Sequence, residues 1–113
     1  MRRAFIEEAI LNAEKSTLNG SNHGAIIVYR GKIIGHGYNK ETVLNLNRVN
    51  KWSIHAEVDA INNALRKISK ENLKQSTLIV VRVMKTGDIS LSAPCRCCSE
   101  FIKKCGIKNV YYS

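Results

Sequence analysis

Two short clusters contain residue types that bind metals and transfer protons. His55 and Glu57 are separated by one residue, and Cys95 and Cys98 by two. One imidazole and two thiolates are ligands that zinc binds well, and three protein ligands leave one tetrahedral position open for water, as in catalytic zinc sites. A carboxylate beside that position can take a proton from water and return it to a nitrogen leaving group. The two clusters therefore predict a hydrolytic zinc centre.

The cysteines are crowded into one part of the chain. Cys95, Cys97 and Cys98 lie within four residues, and Cys105 follows shortly after them. Because the sequence has no secretory feature, clustered cysteines favour a metal site over a disulfide framework. Cys97 remains an alternative to Cys98 as the second thiolate, although the spacing of Cys95 and Cys98 suits a helix start better. We expect Cys105 to pack in the core.

Hydrophobic periodicity predicts seven elements in the order αββαβαβ. A long polar segment, Lys40 to Ser53, separates the second strand from the second helix and is expected to be a functional loop. Both clusters are expected at helix starts, where the positive end of the helix dipole favours thiolates. The predicted elements are helix 3–16, strands 24–30 and 32–39, helix 55–68, strand 77–84, helix 94–104 and strand 108–112.

The apolar run from Ala25 to Val28 is continuous rather than alternating, which is typical of a strand covered on both faces. We therefore expect an α/β fold with three αβα layers, a mixed sheet with helices on both faces, and an antiparallel first strand pair joined by a tight turn at Gly31. At 113 residues the chain is expected to form one domain, residues 1–113.

Composition restricts the class of protein and of partner. The formal charge is +9, from 18 Lys and Arg against nine Asp and Glu. Such an excess fits either a phosphate-bearing partner or a solvated basic surface, and charge alone does not separate the two. No apolar stretch approaches the roughly 20 residues that cross a bilayer. The two Glu near the N-terminus do not suit a signal peptide. We expect a soluble cytoplasmic protein with no membrane partner.

The combination H-x-E followed by P-C-x-x-C is typical of zinc deaminases that act on nucleobases. The sequence resembles the cytidine and deoxycytidylate deaminase superfamily over nearly its whole length: the hairpin GAIIVYRGKIIGHGYN, then HAEVDAI, TLIVV, APCRCC and GIKNVYYS occur in that family's order. The resemblance implies a cytidine-deaminase-like fold. It also implies that His55, Cys95 and Cys98 bind one Zn²⁺ per chain and that Glu57 shuttles protons.

The resemblance also suggests how substrate is held. Asn39 corresponds to an asparagine that contacts the sugar, and the backbone amide of Ala56 to a contact with the base carbonyl. The implied reaction is hydrolytic deamination of a cytosine nucleoside or nucleotide, dCMP or cytidine, to the uracil product and ammonia. Water is the co-substrate, so no organic cofactor is required.

With a histidine at position 55, the sequence resembles the branch of the family that contains deoxycytidylate, tRNA-adenosine and polynucleotide-editing enzymes. The first rival is therefore a tRNA adenosine or polynucleotide deaminase, which makes nucleic acid an alternative partner. The second rival is a non-catalytic zinc module that binds nucleic acid, although such a module has no need of Glu57. Many relatives continue with another helix and strand after the segment that corresponds to residues 109–112. We therefore expect a homo-oligomer whose neighbouring subunit completes the substrate wall.

Several residues have more ordinary interpretations. Asn39 could simply end a strand, and Trp52 could be a pocket wall or a hydrophobic staple before the helix. We expect His36 to be a strand residue that faces solvent or substrate, His23 to lie in a loop, and Arg96 to face solvent, with phosphate binding as the alternative.

Overall fold

The fold is described from a computed structural model of the 113-residue chain. It describes residues 3–15, 22–43, 51–83, 89–90 and 96–112. The helices are α1 (Arg3–Glu14), α2 (Ala56–Ala64), α3 (Lys70–Lys74) and α4 (Arg96–Cys105). The strands are β1 (Asn22–Tyr29), β2 (Lys32–Tyr38), β3 (Lys40–Val43), β4 (Lys51–Ile54), β5 (Thr77–Val83), β6 (Ile89–Ser90) and β7 (Asn109–Tyr112).

The main sheet is mixed, as the sequence predicts. Its first strands have the order β2-β1-β5, and both neighbouring pairs are antiparallel. The far edge of β5 pairs with two short strands: β7 runs parallel to residues 77–80, and β6 runs antiparallel to residues 82–83. Since β5 and β7 are parallel and α4 lies between them in sequence, α4 starts at the carboxyl end of β5.

Helices cover both faces of this sheet, which confirms the predicted three-layer αβα architecture. The continuous run 25–28 is buried, and successive residues point to opposite faces. Ala25 and Ile27 belong to the core that includes α2 and Ile102 of α4. Ile26 and Val28 belong to the core beneath α1. The α2 core and the α1 core, as we call them, give β1 no solvated face.

Small residues allow two helices to approach the sheet very closely. A Cβ atom added to Gly37 would lie 2.4 Å from both the carbonyl oxygen of Ala56 and the backbone nitrogen of Ala60 in α2. On the opposite face, a Cβ at Gly24 would lie 2.0 Å from the carbonyl oxygen of Ala9 in α1. These distances are far below ordinary van der Waals contact, so the two helices pack directly on glycine backbone.

The turn between β1 and β2 is the tight hairpin that the sequence predicts. Tyr29 pairs with Lys32, and the two residues between them, Arg30 and Gly31, have φ angles of +51° and +77°. Positive φ at both central positions defines a type I′ turn, whose twist matches that of the strands. Of these two residues Arg30 has the more strained backbone, because its Cβ disfavours the left-handed region.

The segment between β2 and β5 differs from the prediction in two places. The ends of the expected loop at residues 40–53 form an antiparallel pair, β3 and β4, because extended backbone there can pair with itself. The second helix ends at Ala64 rather than near Ile68, and α3 follows in the predicted connection. The hydroxyl of Ser69 accepts a hydrogen bond from the Asn72 N–H at 3.2 Å and begins α3.

No helix among the described residues is long and apolar enough to span a membrane.

Candidate functional site

The strand register brings several predicted site residues to one end of the sheet. At this end β1 begins, β2 ends and β5 ends, since Gly24 pairs with Tyr38 and with Val81. The first residue of α2 lies over Gly37, so α2 also starts here. α4 starts at the carboxyl end of β5, which is the same end. Two helix amino termini, with their positive dipole ends, therefore meet the edge of the sheet where ligands bind in open α/β folds.

The β3–β4 hairpin brings Asn39 close to His55. Lys40 pairs with Ile54, so the residues just outside this pair, Asn39 and His55, emerge side by side from its base. The 15 residues that lie between Asn39 and His55 in sequence therefore impose little separation in space. A pairing between residues 40–43 and 51–54 has no strong sequence signal, which is why the segment reads as a loop.

His55 and Glu57 both lie at the start of α2 but differ in burial. His55 is the N-cap residue, has an extended backbone (φ −76°, ψ 147°) and is exposed. Its side chain makes no capping hydrogen bond to the first turn. Glu57 lies in that first turn and is only 4% exposed. A nearly buried carboxylate at the positive end of a helix can take up and return a proton if it reaches a substrate or a water.

Asn39 and His23 bind each other through their backbones and one side chain. The His23 N–H donates to the Asn39 Oδ1 at 2.8 Å, and the Asn39 N–H donates to the His23 carbonyl at 3.2 Å. Asn39 is 8% exposed, and the first of these bonds fixes which end of its amide faces β1. The Nδ2 donor group consequently lies on the side away from the His23 N–H.

His23 is a residue whose place the sequence analysis missed. It lies in β1 rather than in a loop, because β1 extends to Asn22 and pairs with β5 there. Burial lowers the pKa of His23; the carboxylate of Glu57 acts in the opposite direction, and Arg82 and His55 lower it further. The four side chains thus share one electrostatic environment. The sequence did contain a sign of this position of His23. His23, Ala25 and Ile27 are spaced two residues apart and so lie on the same face of β1, and Ala25 and Ile27 face α2.

The remaining predicted residues are placed as follows. Ala56 is fully buried and is the first residue of α2, where helix N–H groups lack partners within the helix. His36 is half-exposed, and its Nε2 lies 3.9 Å from the Glu8 carboxylate of α1, so it lies on the face opposite Glu57. Cys105 is partly buried and packs against the α2 core, as expected.

The predicted cysteine ligands are only partly within the described residues. Cys98 is the third residue of α4, and Arg96 begins that helix. Cys95 lies outside the described residues. Within the part of the chain that the structure describes, no three His, Cys, Asp or Glu side chains converge as a metal site. The donor types nevertheless fit zinc: the exposed His55 and the first residues of α4, which include Cys98 in sequence, lie at the same end of the sheet as Glu57, whose carboxylate is buried.

Comparison with known proteins gives the class. The model of the family described as the cytidine and deoxycytidylate deaminase zinc-binding region matches residues 1–113. The chain therefore belongs to the cytidine and deoxycytidylate deaminase family, a family of zinc-binding deaminases. The resemblance that the motifs predicted is confirmed. A search of curated protein sequences gives no match.

Solved structures agree with this class. The apo dCMP deaminase from the cyanophage S-TIM5 is 27% identical, with a TM-score of 0.68 over 98% of this chain and 83% of that one. The same enzyme in complex with dCMP and dUMP is 26% identical, with a TM-score of 0.62 over 98% and 82% of the two chains. Cytidine deaminase from Burkholderia pseudomallei is 26% identical, with a TM-score of 0.68 over 94% and 78%. These likenesses confirm the predicted cytidine-deaminase-like fold.

Proposed function

We propose that this protein hydrolyses the exocyclic amine of a cytosine nucleoside or nucleotide, dCMP or cytidine, to give the uracil product and ammonia. The observation that carries the proposal is the position of Glu57, which is 4% exposed and lies in the first turn of the helix that follows His55. Family membership supports deamination, and a similar structure holds dCMP and dUMP. Residues 1–113 would act as a single deaminase domain.

The proposed zinc ligands are His55, Cys95 and Cys98, with one Zn²⁺ per chain. When bound, zinc supplies a Lewis acid that makes water nucleophilic near neutral pH. Glu57 would take one proton from the attacking water and give it to the ring nitrogen, and would then carry the second proton of the water to the departing amine, so that water is consumed and ammonia is released. The first turn of α2 favours the negative charge of Glu57 between these transfers.

Two groups are proposed to hold the substrate. The Asn39 side chain, fixed at its oxygen end by the His23 N–H, would present its Nδ2 donor group to a sugar hydroxyl. The Ala56 backbone N–H, at the positive end of α2, would donate to the base carbonyl. His55 and Asn39 emerge together from the β3–β4 base, so base and sugar can be contacted at the same time.

The basic charge of the chain supports a phosphorylated substrate, since a formal charge of +9 attracts anions. We also propose that the protein works as a homo-oligomer. Sedimentation at assay concentration tests this second point, and a fully active monomer would contradict it.

The test is ammonia release by zinc-loaded protein with cytidine, dCMP, single-stranded DNA and tRNA, the last also assayed for inosine. We expect turnover of dCMP or cytidine. Glu57→Gln should lower kcat by roughly 10²- to 10⁴-fold while zinc content is unchanged. His55→Ala should lose zinc as well as activity. The matched control is Glu8→Gln, the same exchange on the opposite face of the sheet, which should leave turnover unchanged.

Two outcomes would overturn the proposal. Undiminished turnover in Glu57→Gln would remove its role as proton carrier. Inosine formation in tRNA without any reaction of cytosine compounds would assign the adenosine-specific alternative.

A further inference from the structure

α2 is attached to the outer edge of β2 by two side chains. β2 is the first strand of the sheet, so alternate backbone groups along its outer edge have no neighbouring strand among the described residues. The Tyr38 N–H donates to Asp59 Oδ2 at 3.2 Å, and Asn63 Nδ2 donates to the His36 carbonyl at 2.7 Å. Asp59 and Asn63 are four residues apart and so lie on one face of α2.

The two hydrogen bonds differ in their distance from the candidate site. Asp59 is two residues after Glu57, and its partner Tyr38 immediately precedes Asn39. Asn63 lies one helical turn farther along, roughly 5–6 Å away. The Asp59 hydrogen bond therefore joins the segment that carries Glu57 to the segment that carries Asn39. The Asn63 hydrogen bond also joins α2 to β2, but at a point farther from Glu57 and Asn39.

We propose that Asp59 is a positioning residue, which sets the place of Asn39 relative to Glu57 by holding the Tyr38 N–H. The inference rests on the proposed function for its consequence in catalysis, but the geometry that it assigns stands without it. Asn39 is then held from two sides, by the His23 N–H from β1 and by Asp59 through Tyr38 from α2.

Close packing alone does not supply this constraint. Gly37 lies directly under α2, where a Cβ would come within 2.4 Å of the Ala56 oxygen. That contact fixes how near the helix lies to the strand, because it acts perpendicular to the sheet. It does not prevent the helix from sliding along the strand, whereas a hydrogen bond to a particular N–H does, since it depends on alignment as well as distance.

The experiment compares Asp59→Ala, Asp59→Asn and Asn63→Ala, with dCMP or cytidine as substrate, whichever the wild type converts faster. Asp59→Ala should lower kcat/KM at least 10-fold, with most of the loss in kcat, because misplaced groups weaken transition-state contacts. Asp59→Asn keeps an acceptor oxygen and should stay within about 3-fold of wild type. Asn63→Ala removes a comparable bond and should stay within about 2-fold, although its thermal stability falls.

A second readout does not depend on activity. In NMR spectra, Asp59→Ala should increase hydrogen exchange at the Tyr38 amide and shift the Asn39 side-chain NH₂ resonances, whereas Asn63→Ala should leave both unchanged. Asn39 resonances that stay in place in Asp59→Ala, or equal losses of kcat in Asp59→Ala and Asn63→Ala, would overturn the inference. A wild type that converts no cytosine compound would refute the proposed function instead, and the NMR comparison would still decide the role of Asp59.

Discussion

Replacing Gly37 by alanine should move the helix that carries Glu57. The new Cβ would lie 2.4 Å from both the Ala56 oxygen and the Ala60 nitrogen, and ordinary contact begins at 3.4 Å. α2 must therefore retreat by the difference, about 1 Å. Overpacking of this kind costs about 1–3 kcal/mol of stability, and a displacement of about 1 Å can cost roughly 10²-fold in rate.

Two other glycines provide controls for this prediction. Gly24→Ala creates an even closer clash with α1 on the opposite face, 2.0 Å from the Ala9 oxygen, and should destabilise the protein while the folded fraction keeps most of its kcat. The Cβ added in Gly31→Ala has no atom within 4 Å, so this variant should lose about 1 kcal/mol of stability through the positive φ of residue 31 alone.

The assays are urea unfolding for stability and initial rates at a temperature where each variant is more than 95% folded, roughly 2 kcal/mol of remaining stability. The reasoning requires Gly37→Ala to lose far more kcat than Gly24→Ala at similar cost in stability. Equal rates for these two variants would show that activity tolerates a displacement of α2, and the argument from close packing would fail.

The remaining predictions concern the hairpin and one thiol. Arg30→Asn should raise the free energy of unfolding by about 0.5 kcal/mol, because asparagine tolerates positive φ in a type I′ turn. This gain exceeds the loss of the contact between Arg30 and the Tyr29 ring. Urea unfolding measures the free energy, and a value below that of the wild type would contradict the prediction. Burial raises the pKa of Cys105, with Lys70 partly opposing the change, so its alkylation at pH 8 should be slower than that of a cysteine in a short peptide. Peptide mapping after timed exposure to iodoacetamide measures this rate, and equal rates would argue against it.

The main layers could be predicted from sequence because they depend on local patterns. The run 25–28 indicated burial on both faces, and the turn at Gly31 indicated the hairpin; both are confirmed. The end of α2 was not predictable in this way. Leu65 and Ile68 continue the helical spacing of apolar residues, but the helix ends at Ala64, and the backbone there turns into α3, whose start depends on the Ser69 cap.

The candidate site residues could be named from sequence, but their positions relative to one another could not. Residue types and spacing identified His55 and Glu57, and the structure places them at one helix start. The proximity of Asn39 to His55 depends on the register of β3 with β4, and the contribution of His23 depends on its pairing with Arg82 across the sheet. A single sequence gives little indication of which distant strands pair and in which register. It indicates only which residues of β1 share a face, because side chains in a strand alternate.

The β3–β4 hairpin joins two residues of the site at its base, while its seven connecting residues, 44–50, lie in sequence farthest from both. Lengthening, shortening or exchanging that connection need not disturb the pair Lys40 and Ile54 that sets the approach of Asn39 to His55. The connection can therefore change in length and sequence while Asn39 and His55 keep their places.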